Sequence, residues 1–197
     1  TRKKDSLEDP EEILFDVNEM AKGHSYYNLR GISVSPDNTM VSFGVDTLSR
    51  RKYTIYIKNL VTGKLMQEVI PLTTGGATWA NDNKTLFYSK KDEQTLRSNQ
   101  IFKHTLGEDS ADDVNVFTEQ DETFNTFVYK TKSKKYIVIG SSSTLSSEYQ
   151  ILDANTPNQP FKIFQPRERG LEYSIAHYET SFYIVTNKDG ASNFKLM

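Results

Sequence analysis

One hydrophobic string, following a polar turn, recurs four times along this 197-residue chain. The copies are Val41-Ser42-Phe43, Leu86-Phe87-Tyr88, Ile137-Val138-Ile139 and Tyr183-Ile184-Val185. Counted at their middle residues, 42, 87, 138 and 184, the spacings are 45, 51 and 46. A second strand-like string follows each copy: Ile55-Tyr56-Ile57, Ile101-Phe102-Lys103, Tyr149-Gln150-Ile151 and Phe194-Lys195-Leu196. A leading strand precedes each turn, and trailing strands fall near 65–71, 114–118 and 162–164. Four strands in each roughly 45–50 residues is the repeat of β-propeller blades.

The local patterns agree. Gly31-Ile32-Ser33-Val34-Ser35 and Thr54-Ile55-Tyr56-Ile57-Lys58 alternate with a period near two, as half-buried strands do. Ser35-Pro36-Asp37-Asn38, Asn81-Asp82-Asn83 and Asn187-Lys188-Asp189-Gly190 supply Pro, Asx and Gly for tight turns. Asp9-Pro10-Glu11-Glu12 could open a helix, but too little amphipathic length follows, so 13–17 reads as a strand. The expected fold is all-β: a partial propeller of about four four-stranded blades. It holds one strand of a preceding blade (13–17), blades near 30–72, 75–119 and 122–166, and an incomplete blade at 171–197. A β-sandwich is the competing architecture, but sandwiches do not require a fixed repeat. An arc of blades leaves open sheet faces and raw edges, which proteins normally cover. The chain is therefore expected to be a piece of a longer protein, able to self-associate through those edges when alone.

Composition excludes several functions. There is no cysteine, hence no disulfide framework, thiol nucleophile or Cys-ligated zinc. The 24 basic and 26 acidic residues nearly balance, which argues against a large basic surface for nucleic acid. Apolar runs stop at four or five residues, whereas a membrane span needs about 20. With no apolar segment behind Thr1-Arg2-Lys3-Lys4, a cytoplasmic location is expected, with neither nucleic acid nor membrane as partner.

No catalytic constellation is legible. His24, His104 and His177 fall on different repeats, and neither G-x-S-x-G nor H-E-x-x-H nor a phosphate-binding loop occurs. Gly75-Gly76 precedes a strand and reads as a turn. The run Glu108-Asp109-Ser110-Ala111-Asp112-Asp113 reads as a solvated loop between the third and fourth strands of a blade. No catalytic residue, metal ligand or cofactor site is therefore expected here. One face does stand out. Loops joining trailing to leading strands, and second to third strands, emerge together in a propeller, and here they carry Arg50, Arg51, Arg97, Arg167 and Arg169, with Arg30 beside them. Arginine's planar fork suits carboxylates and interfaces. Arg51, Arg97, Arg167 and Arg169 are the candidate interdomain face, with Arg51 and Arg97 expected to pair with acidic groups of another domain.

An ordered set of strings carries a family resemblance: Gly23-His24-Ser25-Tyr26-Tyr27, Ser35-Pro36-Asp37-Asn38, Val45-Asp46-Thr47-Leu48, Tyr53-Thr54-Ile55-Tyr56 and Ser141-Ser142-Ser143. The longest is Trp79-Ala80-Asn81-Asp82-Asn83-Lys84-Thr85-Leu86-Phe87-Tyr88. Together they resemble the β-propeller domain of the prolyl oligopeptidase family of serine peptidases, in its oligopeptidase B (protease II) branch. The resemblance implies a seven-bladed propeller capping an α/β-hydrolase domain that cleaves short peptides after Arg or Lys. The catalytic Ser, Asp and His it implies match no position here, so the chain itself is expected to be inert. Its partners would be its own C-terminal hydrolase domain and oligopeptide substrates, with the propeller restricting access. A scaffold propeller for protein partners would carry G-H and W-D pairs from blade to blade; the sequence has one G-H, at Gly23-His24, and no W-D. A propeller hydrolase with a central metal would need carboxylates or His on the leading strands, where Ser33, Thr78, Phe127 and Ile175 are expected to point inward.

Overall fold

The computed structural model describes residues 1–4 and 6–197. Strands β1 (Asn28–Val34), β2 (Met40–Asp46), β3 (Tyr53–Asn59), β4 (Leu65–Trp79), β5 (Thr85–Lys91), β6 (Ser98–Thr105) and β7 (Val114–Thr118) form one antiparallel sheet in chain order. Next come β8 (Asn125–Lys130), β9 (Tyr136–Ser142), β10 (Ser147–Asp153) and β11 (Lys162–Gln165), a four-stranded sheet. The last sheet holds β12 (Tyr173–Tyr178), β13 (Ser181–Thr186) and β14 (Lys195–Leu196).

The repeat spacing has a backbone counterpart. The turn after each leading strand places one non-glycine residue at positive φ: Asn38 (59°), Asn83 (60°), Lys134 (60°) and Glu179 (51°). In the first two turns an aspartate makes the bend. Asp37 accepts from the N–H and hydroxyl of Thr39, and Asp82 from the N–H groups of Lys84 and Thr85. Side-chain contacts then chain the leading strands in order. Trp79 Nε1 donates to the Ser33 carbonyl at 2.9 Å, Thr78 Oγ1 to Val128 at 3.2 Å, and Tyr129 Oη to Ile175 at 3.3 Å. That succession is an arc of blades about a common channel, and no sheet closes on itself.

Core forms between blades. Ile55, Ile57 and Ile70 meet Trp79, Leu86 and Tyr88; Phe87 meets Ile137 and Leu152; Val138 and Tyr149 meet Leu171, Tyr173 and Ile175. The second strands therefore lie under neighbours on both faces, and Val41 through Asp46 are buried without alternation. Burying one such side chain contributes about 1.5–3 kcal/mol. β13 has a neighbour on one face only, so Tyr183 and Val185 stay exposed between half-buried Phe182 and Ile184.

Three expectations change. Residues 13–17 form no strand. Asp16 instead caps a short helix, α1 (Val17–Met20), accepting from the N–H groups of Asn18 and Glu19. Phe15 docks by its ring on Phe43, 4.5 Å between centroids, rather than by a backbone ladder. Second, the first two blades are not separate sheets, because β4 runs unbroken from the outer edge of one to the inner edge of the next. Positive φ at Leu72 (61°) and Gly75 (95°) redirects it while hydrogen bonding continues on both sides. Third, Ile175 is buried while its neighbours Ser174 and Ala176 are exposed. A one-residue offset in a strand exchanges its two faces, which is why the inward position slipped there.

Candidate interdomain face

Sequence placed four arginines on the loops at one end of the arc; the structure divides them into two pairs. Arg97, in the β5–β6 turn, is consumed within the chain. Its Nη1 donates to the carbonyls of Asp121 (2.7 Å) and Phe124 (2.8 Å), and its Nη2 to that of Glu119 (3.2 Å). It ties a turn of the second blade to the connection leading into the third. Arg167, in the β11–β12 connection, is consumed too. Its fork grips Glu119 at 2.5 and 3.2 Å, Glu148 lies 3.5 Å from Nη2, and the guanidinium sits 3.8 Å from the centre of the Phe124 ring. Burial pushes the Glu119 carboxyl up, but hydrogen bonds from Arg167 and from the Asp121 N–H outweigh it and hold the group below the usual carboxylate range.

The other pair is open. Arg51 and Arg169 are exposed, and neither guanidinium has a hydrogen bond or ion pair among the described residues. The Arg51 backbone is held at φ 55° by its own N–H, which donates to Asp46 at 2.7 Å. Arg169 borders a cleft of about 760 Å³ lined also by Phe124, Thr144, Leu145 and Arg167, where Leu145 is 65% exposed. Arg97 and Arg167 thus brace the loops, while Arg51 and Arg169 are exposed and unpaired among the described residues. The sequence pattern located the loops but could not separate these roles, because the acceptors of Arg97 are backbone carbonyls that carry no residue signature.

The histidines do not converge. His104 is fully buried, 2.7 Å by Nδ1 from Asp113, whose other oxygen accepts from Tyr88 Oη at 2.8 Å. Burial first, and then Asp113, drives the Tyr88 phenol far above its ordinary range. His177 Nδ1 meets Ser133 Oγ at 2.9 Å, and the His24 ring packs 5.5 Å from that of Tyr27. The acidic run divides: Asp109 caps a single 3-10 turn at Ser110–Asp112, whereas Asp113 turns inward to His104. Among the described residues no group of three or more His, Asp or Glu is placed to hold a metal ion. What the face presents is exposed arginine charge beside a partly apolar cleft.

Known proteins share this fold. The family model described as "Prolyl oligopeptidase, N-terminal beta-propeller domain" matches residues 1–197. "Dipeptidyl aminopeptidase BI" of Pseudoxanthomonas mexicana is 38% identical over 187 residues, which is 95% of this chain and 26% of that protein. "Protease 2" of Moraxella lacunata is 33% identical, over 95% of this chain and 27% of that protein. Among solved structures, oligopeptidase B from Leishmania major superposes with a TM-score of 0.89 at 32% identity, over 94% of this chain and 26% of that one. The chain thus spans about a quarter of the length of the relatives it matches.

Proposed function

The chain belongs to the prolyl oligopeptidase family, as its N-terminal β-propeller domain, and from that premise we propose that it is the access-restricting cap of a cytoplasmic serine oligopeptidase that hydrolyses short peptides after Arg or Lys. The observation carrying this reading is the likeness to oligopeptidase B over 94% of the chain, which preserves the blade arc itself. In this reading the arginine-bearing face docks an α/β-hydrolase domain. Arg97 and Arg167 keep its loops rigid, the Leu145 cleft takes an apolar contact, and Arg169 takes an acidic one. Closure of the two domains around a substrate excludes water and completes the site.

The test is direct. The intact protein should cleave peptides C-terminal to Arg and Lys, and residues 1–197 alone should cleave none. Turnover by this chain alone would overturn the assignment. Release of dipeptides from a free N-terminus, the activity named for the Pseudoxanthomonas relative, would replace the Arg/Lys endopeptidase reading with an aminopeptidase one.

The same reading makes a prediction about the chain in isolation. The outer face of the β12–β13–β14 sheet leaves Tyr178, Tyr183, Val185 and Leu196 exposed, at 63, 45, 43 and 68%. An apolar face of that kind drives association. Sedimentation of residues 1–197 should show dimers or larger species that dissociate when Val185 and Leu196 are both changed to Lys. A monomer at all concentrations would contradict it.

A further inference from the structure

Three cations gather at the loop end of the first two blades, with the Asp46 carboxylate beside Arg51 and Lys91. Arg30 is exposed on β1, Arg51 is exposed in the β2–β3 turn, and half-buried Lys91 ends β5. The Lys91 ammonium donates to the Arg51 carbonyl at 2.6 Å. Burial, then the charges of Arg51 and Arg30, lowers the Lys91 pKa from its ordinary value, and Asp46 only partly opposes them. Asp46 is itself engaged, one oxygen accepting from the Leu48 N–H at 2.8 Å and the other from the Arg51 N–H at 2.7 Å. The Arg30 guanidinium lies over the Tyr53 ring, 5.3 Å from its centroid. That contact fixes the side chain through its face and leaves the N–H donors open.

Arg30 also borders a cavity of about 330 Å³ between the leading strands β1, β4 and β8. Ile32 and Phe127, 53 and 38% exposed, give it apolar sides, and Ser33, Thr78 and Ser89 add hydroxyl groups. Its size falls at the lower end of ligand pockets, which run from about 300 to 1,000 Å³. A ligand satisfying both features carries a carboxylate beside an apolar side chain.

We propose that Arg30, Arg51 and Lys91 form a receptor for the C-terminal carboxylate of a short peptide, whose last apolar side chain enters the cavity between Ile32 and Phe127. The proposal rests on the peptidase reading for the choice of a peptide. A carboxylate matches the guanidinium fork in two parallel hydrogen bonds, and one negative charge relieves the repulsion that Lys91 feels from Arg51 and Arg30. An acidic side chain of the adjoining domain could meet exposed Arg51, but it would leave unfilled the cavity that Arg30 borders. This assigns Arg51 a substrate end as its acid and leaves Arg169 to the domain contact.

The experiment is calorimetric titration of the intact protein with acetyl-Ala-Leu as the free acid and as its C-terminal amide, neither of which contains Arg or Lys. The free acid should bind about 10-fold more tightly at low salt, and the ratio should shrink toward 1 at about 0.5 M salt. R51Q with K91Q, which keeps Arg30, should cut the ratio by half or more at low salt, and I32N should weaken both ligands together. Because both cations are at least partly exposed, the double variant should keep the wild-type melting temperature; should it not, R51Q alone must lower the ratio by half or more. Equal binding of acid and amide to the wild type would overturn the proposal. So would an undiminished ratio in R51Q/K91Q, or weakened association of the two domains in that variant with peptide binding unchanged. No turnover is needed: discrimination by a protein that cleaves nothing would keep the receptor and remove the peptidase, and cleavage without discrimination would do the reverse.

Discussion

Gly44→Ala should unfold the junction of the first two blades, at a cost of about 3 kcal/mol or more. Where β4 crosses between blades, its backbone passes against β1 and β2. A Cβ on Gly44 would lie 2.3 Å from the Gly75 carbonyl oxygen and 2.4 Å from its Cα, and one on Gly31 would lie 2.2 Å from the same oxygen. Overpacking a core by a methyl typically costs about 1–3 kcal/mol when side chains can yield. Here the obstacle is backbone held by β4 pairing with β3 and β5, so relief means breaking the ladder. Gly31 adds a φ of 65° that disfavours any side chain. Gly63→Ala is the matched control: its φ is 74° but nothing lies within 4 Å, so the cost should be only about 1 kcal/mol. Urea titrations of residues 1–197, in which Trp79 is the sole tryptophan, compare the three by fluorescence. Similar midpoints for Gly44→Ala and Gly63→Ala would refute the crossing as described.

The second large effect is expected at Glu119. Its side chain is 5% exposed and Arg167's is 27% exposed, so removing either partner strands a charge. For a fully buried pair that costs about 3–5 kcal/mol; with Arg167 partly in water, about 2–3 kcal/mol is expected for Glu119→Ala or Arg167→Met. The double variant Glu119→Leu/Arg167→Met should cost less than Arg167→Met alone, because Glu119 is no longer left buried without its partner, although Glu148 still loses its 3.5 Å contact. The pH dependence has a definite sign. A carboxyl whose folded pKa lies below its unfolded value contributes stability above the unfolded pKa, about 4.3 for Glu, and loses it as pH falls through the folded value. The stability gap between wild type and Glu119→Ala should therefore be full at pH 7 and narrow as pH is lowered through and below about 4. A gap independent of pH would show that lost packing of the Glu119 side chain, not the charge pair, is what the substitution removes.

The arc was legible because inter-blade burial writes itself into sequence. Ile137 through Ser141 are buried on both faces of β9, and each such strand reads as an apolar run at a fixed spacing. What escaped depends on contacts without a local pattern. Asp16 reads equally as a turn residue or a helix cap, and only the docking of Phe15 on Phe43 decides it. Tyr88, His104 and Asp113 meet because Tyr88 pairs with Phe102 and Leu86 with His104, a register fixed by the pairing of β5 and β6. At the candidate face, loop positions pointed to Arg51, Arg97, Arg167 and Arg169, but not to which would be satisfied internally. Lys91 was missed as their neighbour. It ends the same strand of its blade as Asp46 does in the blade before, and their offset of 45 residues was the available signal.

The central claim, that this propeller admits short peptides and excludes folded chains, is tested by one matched pair of substrates. The same Arg- and Lys-containing segment should be presented to the intact protein as a free peptide and as a surface loop of a stably folded domain. The account predicts cleavage of the free peptide after Arg or Lys and none of the folded substrate. Comparable cleavage of both would contradict it.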